Sequence, residues 1–309
     1  MLSAQTLSLA RLMRRAALEE LLPRHGRLRA NEIHSHSDGS LFTAADIANE
    51  KRLVEGTKII YPHARAAGEE EISEDPCAFL KNALHHDVII IDPIDGTGAF
   101  KRGEDTYGVM AACISQGVTI AGAIYTPGHA IRSQDGTFSP GKDLMILAEK
   151  GKGCFVNGVK ATLTGRPSSL TEKARIAFAC RNQDKEAEDI LAAGVPGYMT
   201  RHNSSHDYTR ILIGESDATF YSEGFMPLTG QGKCPPWDHA AGVLAIQEAG
   251  GYAALPYGRD EGQAYNPLLC HDRLLVCANE HLFRDVMQHI RARAPHLTAP
   301  RIPPSPAMQ

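Results

Sequence analysis

Hydrophobic positions along this chain change period several times, and each change marks an element. Between residues 7 and 22 apolar side chains recur at helical spacing, which predicts a first helix near 4–22. A second helix is expected near 43–55. The pattern then switches: Val88-Ile89-Ile90-Ile91 is an unbroken β-branched run, the mark of a strand buried on both faces. Further strands are expected at about 107–115 and 118–125, joined by a hairpin at Gln116-Gly117. Downstream, Asn157-Gly158 is good type I′ turn chemistry. A strand near 175–179 is followed by a helix near 185–193 that stops at Gly194. A helix over 204–213, ended by Gly214, precedes a strand at 218–222. The helix expected over 238–249 meets Gly250-Gly251, a strong C-terminal stop. A strand at 274–277 and a last helix over 280–293 close the pattern. Four prolines in the final ten residues predict an extended tail. Helix pairs mixed with hairpins and buried strands are not the regular alternation of a Rossmann or barrel chain, and they predict layered α+β structure.

Composition bounds the function without naming it. The 309 residues are 43% hydrophobic and 22% charged, enough for one extended core or two closely joined subdomains. A formal net charge of -4 gives no electrostatic footprint for nucleic acid. No run of 18 apolar residues is present to span a bilayer, so neither a nucleic-acid nor a membrane partner is expected. Arg11, Arg14 and Arg15 give the first segment the look of a transit peptide, but Glu19 and Glu20 favour a structural helix. The cysteines, at 77, 113, 154, 180, 234, 270 and 277, are odd in number and lack a Cys-x-x-Cys pair. That pattern predicts packed, reduced thiols and a cytoplasmic location. Zinc is not expected from them, nor from His34 with His36 or His202 with His206, because the second pair lacks the adjoining glutamate of a zinc hydrolase.

The candidate chemistry sits where the buried strand ends. Asp92-Pro93-Ile94-Asp95-Gly96-Thr97 places two carboxylates, a glycine and a hydroxyl at a carboxyl strand end, where open α/β sheets keep their sites. Pro93 fixes one backbone angle and removes a donor, so the chain turns there and aims Asp92 and Asp95 to one side. Two acidic groups held that close need a cation between them. With hard oxygen ligands only, a divalent metal is the simplest choice. Alone, Asp-x-x-Asp-Gly would also suit a plain turn. Context separates the two readings: an upstream acidic cluster, Gly68-Glu69-Glu70-Glu71, and a downstream Trp237-Asp238-His239-Ala240-Ala241-Gly242 segment.

These three segments together resemble the inositol monophosphatase family of magnesium-dependent, lithium-sensitive phosphatases. The resemblance runs from about residue 40 to about 280. It implies a layered αβαβα sandwich and a homodimer. It implies metal ligands at Glu69, Asp92, the Ile94 carbonyl, Asp95 and Asp238, holding two or three magnesium ions that lithium would antagonise. It implies that Asp46, in Thr43-Ala44-Ala45-Asp46, works with Thr97 to orient water. Substrate contacts are expected at Gly96, Thr97, His202, Asn203, Ser204 and Glu223. The chain is read as a single phosphatase domain over 1–296, with subdomains of about 1–150 and 151–296, followed by a proline-rich tail over 297–309. Departures from the family pattern are Gly98-Ala99, where polar residues are usual, and His34-Ser35-His36-Ser37-Asp38-Gly39-Ser40, which lacks a lysine.

The implied activity is hydrolysis of a small phosphorylated polyol by metal-activated water. Inositol monophosphate is the first choice of substrate; a 3'(2'),5'-bisphosphate nucleotide, histidinol phosphate or a sugar phosphate stays open. A phosphatase with an aspartyl nucleophile is disfavoured, because its two aspartates are separated by one residue and these by two. The reading from another class is a catalytically silent binding protein on the same fold. Retention of the carboxylate set speaks against it.

Overall fold

The computed structural model describes residues 1–36, 41–74, 79, 83, 86–127, 143–179, 188, 190–191, 194–200, 203–222, 234–257, 259–268, 271 and 273–298. Its centre is a seven-stranded sheet whose strand order follows the chain. The strands are β3 (Arg65–Gly68), β4 (Val88–Asp95), β5 (Gly108–Ser115), β6 (Val118–Thr126), β7 (Leu144–Glu149), β8 (Gly153–Val156) and β9 (Val159–Lys160), after a small hairpin of β1 (Ile33–Ser35) and β2 (Leu41–Thr43). β3 runs parallel to β4, and the remaining pairs are antiparallel. A six-stranded sheet follows, made of β10 (Ile176–Ala179), β11 (Tyr198–Thr200), β12 (Ala218–Ser222), β13 (Tyr252–Leu255), β14 (Gln263–Ala264) and β15 (Arg273–Cys277), in the order β11-β10-β12-β15-β13-β14.

Three clusters of buried apolar side chains glue the layers together, and the alternation along β4 shows how. Ile89 and Ile91 face Leu9, Met13 and Leu53 of the helices Ala4–Ala16 and Ala44–Ile60. Val88 and Ile90 face the opposite way, into a core shared with the helices Ser204–Leu212 and Pro236–Glu248 and with Leu274 and Val276 of the second sheet. Leu275 and Cys277 turn outward onto helix Glu280–Arg293. Helices, sheet, helices, sheet, helix: the layered αβαβα sandwich is the fold. β4 carries apolar residues on both faces because both faces are covered.

Close approach between layers depends on small residues. A side chain at Gly122 of β6 would lie 3.0 Å from the backbone of Ala241, and one at Gly242 would lie 2.2 Å from the Tyr208 ring. The Ala240-Ala241-Gly242 segment therefore lets helix Pro236–Glu248 lie down between the two sheets.

The expected elements are found with shifted ends. The first helix is regular only to Ala16 and continues as a π turn over Ala17–Leu21. Helix Ala44–Ile60 runs past the expected residue 55. Gln116 and Gly117, and likewise Asn157 and Gly158, have positive φ in both members of the pair, as tight hairpin turns require. Of the helix expected over 185–193, only Glu188, Ile190 and Leu191 fall among the described residues, and all three are helical. The tail from 299 onward lies outside them.

Candidate active site

The site is built on an irregularity in β4. Residues three apart in a regular strand face opposite sides of the sheet. Here Asp92 lies opposite Met110 and Asp95 opposite Gly108, so three steps along β4 match two along β5. This is a β-bulge. It sits at Pro93, a residue that cannot donate to a ladder and is tolerated where the ladder is broken. The extra residue brings Asp95 round to the side of Asp92, toward the core between the sheets.

There the two meet Asp238. One carboxylate oxygen from each of Asp92, Asp95 and Asp238 lies within 4.8 Å of the others, and all three residues are buried. Asp238 arrives from the first turn of helix Pro236–Glu248, in which Pro236 holds the first position and Pro235 the cap position. It is thus not the N-cap but a first-turn acid, favoured there by the helix dipole. Ser205 fixes Asp95 from the other side, its backbone N–H donating to Asp95 Oδ2 at 2.5 Å. Burial, followed by the charges of Glu69, Asp238 and Asp95, pushes the Asp92 carboxyl well above the usual carboxylate range. Asp92 Oδ1 is buried with no hydrogen-bond partner among the described residues. An orphaned oxygen among mutually repelling carboxylates suits a hard divalent cation, and no other group of three or more such ligands comes together among the described residues.

Glu69 stands apart from this trio. It opens the short helix Glu69–Glu74, half-buried, and acts on Asp92 through its charge without joining the 4.8 Å group. The start of that helix is held by Glu50, whose carboxylate accepts from the backbone N–H of Glu70 at 2.9 Å and of Glu71 at 3.3 Å. Neighbouring Glu70 faces His36 Nε2 at 3.1 Å, and the His36 ring lies tilted by 33° against Phe42.

Asp46 and Thr97 meet directly. Thr97 Oγ1 lies 3.1 Å from Asp46 Oδ1 and 3.2 Å from the Ile94 carbonyl, both acceptors for its single proton. The other oxygen of Asp46 closes a capping box, accepting from Thr43 N–H at 2.8 Å and Thr43 Oγ1 at 2.6 Å. Burial raises the Asp46 carboxyl to about 7, against the opposing pull of the hydrogen bonds from Thr43 and Thr97. Thr97 begins the short helix Thr97–Arg102, and Gly96 before it has φ +95° and ψ +42°. A side chain at Gly96 would collide with the Asn203 amide at 1.9 Å, so only glycine serves there.

The expected substrate contacts divide. Gly96, Thr97, Asn203 and Ser204 gather beside the carboxylates, whereas His202 and Glu223 lie outside the described residues. The Asn203 side chain is turned away from the cap of its own helix: its Nδ2 donates to the Thr106 carbonyl. Ser204 is buried as the first residue of that helix. Three site residues escape sequence reasoning: Ser205, which holds Asp95; Glu50, which holds the Glu69 helix; and Asn49, whose Nδ2 donates to the Pro93 carbonyl at 2.7 Å. The only signal for the latter two was the placing of polar residues three and four after Asp46, where an amphipathic helix would carry its apolar stripe.

The model of the inositol monophosphatase family matches residues 4–294. A putative Nus factor SuhB of Neisseria meningitidis is 27% identical over 252 residues, spanning 80% of this chain and 85% of its own length. Histidinol-phosphatase of Chlorobaculum parvum is 29% identical over 229 residues, spanning 72% of this chain and 75% of its own length. Among solved structures, the extragenic suppressor protein SuhB of Bartonella henselae has a TM-score of 0.71 at 22% identity, over 94% of this chain and 99% of that one. An IMPase/NADP phosphatase complexed with Mg2+ and phosphate has a TM-score of 0.60 at 18% identity, over 85% and 87%. At these identities the two structures establish a shared fold.

Proposed function

The chain belongs to the inositol monophosphatase family, a phosphomonoester hydrolase by that membership, and from this premise we propose that it is a magnesium-dependent phosphatase of a small phosphorylated polyol, inositol monophosphate first among them. The observation that carries the reading is the convergence of the buried Asp92, Asp95 and Asp238 carboxylates, with Asp92 Oδ1 lacking a hydrogen-bond partner among the described residues. A fold needs no such arrangement, and a silent binding protein would lose it.

In this reading Glu69, Asp92, the Ile94 carbonyl, Asp95 and Asp238 hold two or three ions. Bound magnesium supplies the positive charge that in-line attack on a phosphate monoester requires at the entering and leaving oxygens. The protein's part is placement. With its proton given to Asp46 Oδ1 in preference to the Ile94 carbonyl, Thr97 would keep its lone pairs free to accept a hydrogen from the attacking water. The backbone amides of Gly96 and Thr97, at the start of helix Thr97–Arg102, would bind the phosphate, as helix N-termini do. Lithium, competing for the same oxygens, is expected to inhibit.

The deciding experiment is a panel of inositol monophosphate, a 3'(2'),5'-bisphosphate nucleotide, histidinol phosphate and a sugar phosphate, assayed for phosphate release with magnesium and again after chelation. Hydrolysis that survives thorough chelation would sink the metal-dependent reading; a preference for another panel member would move the substrate within the family. A cytoplasmic homodimer without nucleic-acid partners completes the proposal, supported on the last point by the net charge of -4. No described helix is long and apolar enough to cross a membrane.

A further inference from the structure

Helix Ala44–Ile60 turns a polar edge toward the site. Asp46, Asn49 and Glu50 stand at i, i+3 and i+4, share one face, and are all buried. Each grips a different part. Asp46 accepts from Thr97. Asn49 Nδ2 donates to the Pro93 carbonyl at 2.7 Å, at the bulge of β4. Glu50 accepts from the amides that open helix Glu69–Glu74. The approach of Glu50 depends on Gly68, where a side chain would lie 2.2 Å from the Glu50 carboxyl. One rigid helical turn therefore spaces the Glu69 side of the site from the Asp92–Thr97 side.

Asn49 is the member whose presence packing does not explain. It is fully buried, and its Oδ1 has no hydrogen-bond partner among the described residues. A leucine would fill similar space without the unsatisfied Oδ1, and leaving a buried carbonyl unpaired is unfavourable. The return on that cost is a donor on Pro93, in the middle of the bulge that makes Asp92 and Asp95 converge. We propose that Asn49 is a positioning residue for the metal-binding turn: by holding the Pro93 carbonyl it fixes the bulge, and so presets Asp92 and Asp95 for a divalent cation. This rests on the magnesium reading above, and it concerns a residue that touches neither metal nor substrate.

The test is magnesium binding measured by calorimetry on the full chain stripped with a chelator, for wild type, Asn49→Leu and Asn49→Ser. Leucine removes both polar atoms while keeping the bulk; serine is too short to reach Pro93. Loss of a partner that orients ligands lowers metal affinity about tenfold or more, and both variants are expected to show that loss. The metal-free melting temperature of Asn49→Leu should stay near wild type, because one unpaired buried carbonyl, Asn49 Oδ1, is exchanged for another, that of Pro93. A role in packing alone gives the reverse: a lower metal-free melting temperature and unchanged affinity. Wild-type affinity in either folded variant overturns the assignment, and failure of both to fold makes Asn49 a folding residue and overturns it too. If the wild type itself binds no magnesium, the metal reading fails first and takes this inference with it, an outcome distinct from a wild type that binds and variants that bind equally.

Discussion

Asp46 divides two tasks between its two oxygens. Oδ2 closes the capping box with Thr43, and Oδ1 faces Thr97. The cap and the proposed water-orienting role are therefore both available to one side chain, and separable through its partners. Thr43→Ala should lower stability by about 0.5–2 kcal/mol with little effect on kcat. Thr97→Ala should lower kcat strongly and barely move the melting temperature. Asp46→Asn should do both, and the double variant with Thr97→Ala should lose little more kcat than either single, since coupled residues are not additive. Kinetic losses that simply add, or that track melting temperature, would show two independent or structural residues. At the trio, Asp95→Asn keeps shape and removes charge, so it should nearly abolish turnover while the metal-free fold survives; near-wild-type kcat would remove Asp95 from the catalytic set. Charge also sets the response to pH. Asp46 is raised to about 7 by burial, and Asp92 is raised by burial and by Glu69, Asp238 and Asp95. Both bind protons more tightly folded than unfolded, where a carboxyl titrates near pH 4. Stability is therefore lost as pH rises from about 4 toward 7. Chelated protein should melt higher at pH 5 than at pH 7.5, and added magnesium should reduce or reverse that difference. A chelated protein that melts higher at pH 7.5 would mean that these carboxyls ionise freely in the fold.

At the scale of elements, what the sequence reveals depends on how far apart partners lie. The Asp92–Thr97 turn was legible because a β-branched strand leads straight into its carboxylates, and the hairpins at Gln116-Gly117 and Asn157-Gly158 because their turn residues are local. β3 and β13 have no such signal: Ala66-Ala67-Gly68 and Ala253-Ala254 are too small to show strand patterning, and at Gly68 the close Glu50 carboxyl leaves room for nothing larger. Ser205 holds Asp95 from 110 positions away, and Asn49 holds Pro93 from 44. No local pattern encodes such pairings. Asn203 makes a further pairing of the same kind: its Nδ2 donates to the Thr106 carbonyl from 97 positions away, and its side chain crowds Gly96. The helix that carries Asp46 illustrates both sides. Its start was readable from the capping box, while its polar edge broke the apolar stripe because that edge faces a site instead of a core.

Across the whole molecule the question is whether the chain melts as one body or as two. The core between the sheets mixes residues of both halves: Val88, Ile90, Met110 and Ile146 from the first sheet, and Val243, Ile246, Leu274 and Val276 from the helix and sheet that follow. The carboxylate trio is divided the same way, Asp92 and Asp95 from one half and Asp238 from the other. Neither half can leave without exposing the shared core and breaking the carboxylate trio, so we expect one cooperative transition even at this length. Trp237 is a built-in probe, being the single tryptophan, packed against that core and adjacent to Asp238. Its fluorescence should change in the same transition that removes far-ultraviolet circular dichroism, with coincident midpoints. Magnesium at about 100 times its Kd should stabilise the fold by about 2.7 kcal/mol and move both midpoints upward together. A dichroism midpoint that stays put while the Trp237 midpoint rises would show that the metal stabilises only one half, and that the shared core does not bind the two halves into a single unit.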